Sequence, residues 1–188
     1  MKLNFVAPLP PSINEYRKYR VIYSKGRPTV QTYKTKETYQ YEAYIEKLLK
    51  EEIVKQGWQT PPKGNYVYVW ITFFFARSNQ DDNNYYKVLC DSLQKSGVVL
   101  NDSRFIIRTK DIFINSMNPR IEVSIELAPK IGRFKDKNEH DLFIKQNCLM
   151  CKKPNYEKCR VFKSLLENRI FEQDVDDSGA NCLKKKPK

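Results

Sequence analysis

Residues 80–102 read QDDNNYYKVLCDSLQKSGVVLND, and the reading of this stretch decides the fold. A helix is expected from about Asn83 or Asn84 through Ser96, with Gly97 as its stop. Leu89 and Leu93, with Tyr85 and Val88 nearby, form an apolar stripe at helical spacing. Asn83, Lys87 and Asp91 fall at i, i+4 and i+8 on a neighbouring polar face. Carboxylates therefore flank both ends of one helix, Asp81 and Asp82 before it and Asp102 after it. Two readings fit. Asp81, Asp82 and Asn83 are ordinary N-capping groups where the helix dipole favours negative charge. Alternatively, Asp81 and Asp102 meet where the helix folds back beside the preceding strand, and hold a hard divalent cation. Lys87 likewise either pairs with Asp91 or faces a phosphate and offsets transition-state charge.

Working outward, residues 65–76 (NYVYVWITFFFA) are β-branched and aromatic, and predict a central strand leading into this stretch. Residues 105–114 and 120–127 predict two more strands joined by an NSMNP turn. Upstream, residues 2–7 alternate as a first strand. Pro8, Pro10 and Pro11 then interrupt regular pairing, so PLPPSINEYRKYR reads as a stiff loop. Its Asn14, Arg17, Lys18 and Arg20, interleaved with Tyr16 and Tyr19, suit contacts to phosphates and bases; the alternative is a solvated loop whose tyrosines pack on the core. Residues 21–23 and 29–33 predict a hairpin turning at Gly26. Thr35 caps a helix running to about Gln56, with Tyr41, Tyr44, Ile45, Leu48, Leu49 and Ile53 at helical spacing and its Lys and Glu residues on a solvated face. The expected class is α+β: a mixed β-sheet with two main helices packed on it, plus a small metal-binding C-terminal appendage.

The chain has 188 residues and a formal charge of +12, from 34 Lys+Arg against 22 Asp+Glu. Such an excess favours an anionic partner, nucleic acid first and an anionic membrane surface second. No run of ~20 apolar residues is present, so no membrane-spanning helix is expected. The start MKLNFVAPLPPS lacks a secretory pattern, and a cytoplasmic location in a bacterium or a phage-infected cell is expected. Cysteines divide the chain: Cys90 stands alone before residue 129, and Cys148, Cys151, Cys159 and Cys182 follow it. Two parts are expected, 1–128 and 129–188, joined by GRFKDKNEHD as a charged linker.

The register Asp81, Asn83, Asn84, Lys87, Asp91, Leu93, Gly97, Asn101 and Asp102 resembles the RusA family of Holliday junction resolvases. Pro10, Pro11, Ser12 and Asn14 resemble that family's opening motif, and the similarity covers about residues 3–127. The resemblance implies a homodimeric, Mg²⁺-dependent crossover junction endodeoxyribonuclease, with Mn²⁺ as a substitute cation, that binds four-way DNA junctions and makes paired cuts. It implies three metal-binding aspartates and an essential lysine, which map onto Asp81, position 83, Asp102 and Lys87. Position 83 departs from the pattern, because Asn83 brings an amide oxygen but no charge and no base. Weakened or lost cleavage with retained junction binding is the implied consequence.

Beyond the region of resemblance, Cys148-x2-Cys151 is a common zinc half-site, with Cys159 a third ligand. Cys182 is the better match for the fourth, with His140 the alternative; an iron–sulfur cluster or free thiols are the other readings. Residues 161–171 predict a short helix, and the last residues a mobile end unless Cys182 is a ligand. The functional expectation is a structure-selective nuclease. Its rivals are a non-catalytic binder of branched nucleic acid on a degenerate nuclease fold, and a small zinc-containing regulator.

Overall fold

The computed structural model describes residues 1–153 and 155–187. Two compact units emerge. One comprises Met1–Thr60 and Val67–Glu126; the other comprises Pro61–Tyr66 and the chain from Leu127 on.

The first unit is built on a four-stranded sheet in the order β1-β6-β4-β5. Strand β1 (Lys2–Pro8) turns Leu3, Phe5 and Ala7 inward and the residues between them outward. It runs antiparallel to β6 (Arg120–Ile131), with Leu3 opposite Ile125 and Phe5 opposite Val123. After β1 comes a single helical turn, α1 (Ile13–Tyr16), which buries Tyr16. The expected stiff loop therefore ends early, because the hairpin starts at Arg17: β2 (Arg17–Ser24) pairs with β3 (Arg27–Lys34) across a turn with positive φ at Lys25 and Gly26. Paired positive φ values match the right-handed strand twist of a tight hairpin.

Helix α2 (Lys36–Gln56) begins where Thr35 Oγ1 accepts from Thr38 N and ends at Gly57 in the left-handed region. It buries Tyr41, Ile45 and Leu49 one turn apart. One expectation for this helix fails: Glu42 is not on a solvated face. It is buried, and its two oxygens pair with Lys34 at 2.5 Å and Lys95 at 2.6 Å. Burial alone would raise the Glu42 pKa, but hydrogen bonds from the two lysines outweigh it and the net shift is downward.

The central strand β4 (Asn65–Phe75) alternates into the core through Val67, Val69, Ile71, Phe73 and Phe75. It is parallel to β5 (Phe105–Ile114), with a register irregularity at Ile71/Thr72. Parallel neighbours need a crossover, and the decisive stretch supplies it. A 3-10 turn over Asp82–Tyr85 leads into helix α3 (Tyr86–Lys95), whose Val88, Leu89 and Leu93 are buried. The helix thus starts later than Asn83 or Asn84, because the first turn is wound more tightly. Among the described residues no helix is long and apolar enough to cross a membrane.

The second unit has a small core of Phe134, Phe143, Val161, Phe162, Leu165 and Val175. Helix α4 (Lys137–Phe143), capped by Asp136 through Glu139 N at 2.9 Å, occupies the stretch expected to be a linker. A π-helical turn, Ile144–Cys148, follows, and α5 spans Arg160–Glu167. Gly132 (φ +55°) donates its N–H to Gly64 O at 2.7 Å, and an added Cβ there would lie 2.3 Å from Leu165 O. Lys63 pairs with Glu167 at 2.9 Å. The final segment, expected to be mobile unless Cys182 is a ligand, holds a 3-10 turn at Glu172–Asp174 and a bridge between Val175 and Cys182. Asp174 is fully buried and accepts from Arg160 at 2.9 Å.

Candidate active site

The acidic stretch leaves β4 through residues 76–81. Asp81, extended and exposed, caps the 3-10 turn: its Oδ1 accepts from Asn83 N at 3.1 Å and from Asn83 Nδ2 at 3.2 Å. The capping reading therefore holds at Asp81, but it occupies one oxygen and leaves the side chain in solvent. Asn83 is exposed beside it. Because its amide nitrogen donates to Asp81, its amide oxygen faces elsewhere.

Asp82 does a different job. Its Oδ2 accepts from Tyr86 OH at 2.5 Å and from Thr109 Oγ1 on β5. Burial opposes ionisation of Asp82, but these hydroxyl donors and the Asn83 backbone amide outweigh it and keep the carboxyl below its usual range. Burial, and then the Asp82 carboxylate, push the Tyr86 phenol up to about 12. Asp82 therefore pins the turn to the sheet. Neither Tyr86 nor Thr109 stood out in the sequence as a site residue; only the Asp82/Tyr86 spacing of four hinted at a contact.

Lys87 sits in the first turn of α3, about half exposed, with its Nζ 2.7 Å from Asp91 Oδ1. The other Asp91 oxygen accepts from the buried Tyr16 hydroxyl at 3.2 Å. The Asp91 hydrogen bond is the main reason the Lys87 pKa is raised; burial opposes it, and the fields of Asp91 and Asp102 add to it. Asp102 is exposed at the head of a 3-10 turn, Asp102–Arg104, whose cap is Asn101 through Ser103 N at 2.9 Å. The helix between the two acidic ends thus carries a cation that feels Asp102 and is held in place by Asp91. Cys90, buried one turn further on, has its thiol pushed up to about 12, by burial first and then by Asp91 and Asp102.

Of the residues expected to touch nucleic acid, Asn14 is exposed on α1, and Arg17, Lys18 and Arg20 are exposed on β2. Residues 17–36 carry seven Lys and Arg and no Asp or Glu. Tyr19 and Tyr23 are exposed among them, and Arg20 lies over the Tyr33 ring. In the second unit, Cys148, Cys151, Cys159 and Cys182 line one cavity. His140 is not among its lining residues; its ring packs against Phe134 and Phe162, and its Nδ1 meets Asp141 at 2.8 Å.

Among the described residues, no group of three or more His, Cys, Asp or Glu side chains is disposed to hold a metal ion as it stands. A Mg²⁺ site needs no such group, since one or two carboxylates with water and substrate phosphate suffice. Asp81, Asp102 and the Asn83 amide oxygen are exposed oxygen donors of that kind, so the residues present fit a hard cation in chemistry.

A mixed sheet carrying an exposed acidic turn, a fixed lysine and a basic hairpin suits a protein that acts on a polyanion. The family comparison says which: a model of the endodeoxyribonuclease RusA family matches residues 8–126, and the chain belongs to that family. It is thus a member of a family of nucleases that resolve Holliday junctions, act on branched DNA and generally depend on a divalent metal. No curated protein matches the chain.

Proposed function

We propose that this chain binds four-way DNA junctions as a homodimer and hydrolyses phosphodiesters with Mg²⁺, weakly, because Asn83 stands where the family carries a carboxylate. Asp81 and Asp102 would hold the cation, with the Asn83 amide turned over so that its oxygen joins them; the cation when bound polarises the scissile phosphate and activates water. Asp91 and Tyr16 hold the Lys87 ammonium at the exposed face, where it can contact a non-bridging phosphate oxygen and offset its developing charge. Arg17, Lys18 and Arg20, on a hairpin devoid of acidic residues, supply sequence-independent backbone contacts. A dimer brings two such sites to one junction, as paired cuts require.

The observation that carries the weakness of cleavage in this reading is the hydrogen bond from Asn83 Nδ2 to Asp81 Oδ1 at 3.2 Å. Two carboxylates at that separation repel unless a cation or a shared proton lies between them. An amide at position 83 satisfies Asp81 without one. The same contact favours the second reading, a junction-binding protein with no cleavage, and one assay separates the two. A synthetic four-way junction is incubated with Mg²⁺ or Mn²⁺ and either the natural chain or Asn83→Asp. Cleavage should rise with Asp at 83. If it does not, with folding and junction binding intact, the assignment of position 83 is wrong. Junction binding no tighter than linear duplex at matched salt removes both readings.

A further inference from the structure

We propose that Cys148, Cys151, Cys159 and Cys182 together hold one zinc ion as a closed tetrathiolate that staples the second unit. The four residues come from four different places. Cys148 ends the π-helical turn after α4, Cys151 bridges Pro187, Cys159 immediately precedes α5, and Cys182 bridges Val175. All four line a single cavity of about 30 Å³. Space of that size suits a single ion. All four cysteines are free thiols.

The convergence is enforced by hydrogen bonds between the segments that carry the cysteines. Asn147 is buried; its Oδ1 accepts from Cys182 N at 2.9 Å and its Nδ2 donates to Ala180 O at 2.9 Å. It therefore clamps the Cys182 loop beside Cys148. Lys152 N donates to Lys186 O at 2.8 Å, and Lys185 Nζ to Gln146 O at 2.9 Å, tying the last segment alongside Cys151 and the π-helical turn.

Electrostatics favours the same occupant. A zinc ion with four thiolates carries a net charge of −2, and Lys153, Lys184 and Lys185 line the same cavity. Lys153 Nζ stands 3.8 Å from Cys159 Sγ. With His140 engaged elsewhere, Cys182 is the fourth ligand. As the side chains stand, no three sulfurs meet the geometry of a metal site. Binding draws them inward to Zn–S distances of about 2.3 Å by side-chain rotation, and each thiol releases its proton to solvent.

The test reads metal rather than cleavage, so it stands apart from the nuclease reading. The purified full chain is assayed for metal content, then stripped with chelator under reducing conditions and titrated with Co²⁺. One zinc per chain is expected, together with thiolate-to-cobalt charge-transfer bands and tetrahedral d–d bands that saturate at one equivalent. Cys182→Ser should weaken zinc retention by more than the roughly 10–100-fold that loss of an outer-shell partner costs; His140→Ala should not change it. Absence of stoichiometric metal together with absence of thiolate–cobalt bands in the natural chain overturns the site. Iron with sulfide in place of zinc overturns the assignment of the ion. Zinc retained unchanged in Cys182→Ser overturns the ligand set.

Discussion

The two units solve the problem of cohesion differently. Among the described residues, the first packs 22 buried side chains in one contiguous cluster and the second packs six. A cluster of 22 tolerates exposed polar groups placed for other purposes, and Asp81, Asn83, Lys87 and Asp102 are of that kind, standing at the rim of elements held by Phe73, Val88 and Leu93. A cluster of six, with Ile144, Tyr156, Leu166 and Ile170 half-buried against it, leaves a unit of this size little apolar burial to spare. Its polar residues are accordingly structural: Asn147 and Asp174 are buried and hydrogen-bonded across the chain. The candidate site sits on a surplus of core, and where the core is thin the polar side chains hold the fold.

The contrast can be broken, and the heaviest blow is to the thin core. Leu165→Ala should cost about 2–5 kcal/mol and open the second unit selectively. Amide hydrogen exchange should accelerate across α4 and α5 while β4 and β6 near Ile125 stay protected. Exchange rising equally in both units would mean that they unfold together. Next comes Asp102→Asn, which should lower junction cleavage roughly 100-fold or more with thermal stability unchanged. A large fall in melting temperature would show that the acidic rim is structural too.

A smaller effect is expected at Glu42, where the first unit does depend on a buried charge. Glu42→Gln leaves Lys34 and Lys95 without their shared carboxylate and should cost about 1–3 kcal/mol at neutral pH. The Glu42 pKa is depressed in the folded state, so its stabilisation is complete above the unfolded value near 4.3. It fades as pH falls through the folded value. Denaturant titrations should therefore show a shallower acid limb in Glu42→Gln than in the natural chain. Smallest is Thr35→Ala, which removes the cap of α2 and should cost about 1 kcal/mol, read as a modest drop in melting temperature.

How legible each region was follows from the same physics. Strands β1 and β4 and helix α2 show in the sequence because one face of each is buried, so periodicity marks them. Strand β2 is exposed along nearly all its length, so no alternation announces its start at Arg17, and three prolines upstream suggested a loop. Glu42 looked solvated because its partners Lys34 and Lys95 are joined to it only by folding. In residues 132–141 the signal was one aromatic, Phe134, and one cap, Asp136, among charges, which is too little to reveal a helix. At the candidate site, the resemblance to the RusA family named Asp81, Asn83, Lys87 and Asp102 as a set. Tyr86 and Thr109 went unnamed because their hydroxyls reach Asp82 from other elements, and Tyr16 showed only as a base-contacting or core tyrosine, not as a partner of Asp91.

The second unit also borrows residues 61–66 from the middle of the chain, where Gly64 O receives the Gly132 amide and Lys63 meets Glu167. No single backbone cut separates the two bodies cleanly. A chain divided after Glu126 leaves an edge of the smaller body on the larger fragment, so two fragments expressed separately should find each other through that retained edge. The molecule is a natural candidate for fragment complementation, with recovery of the smaller body's fold as the signal.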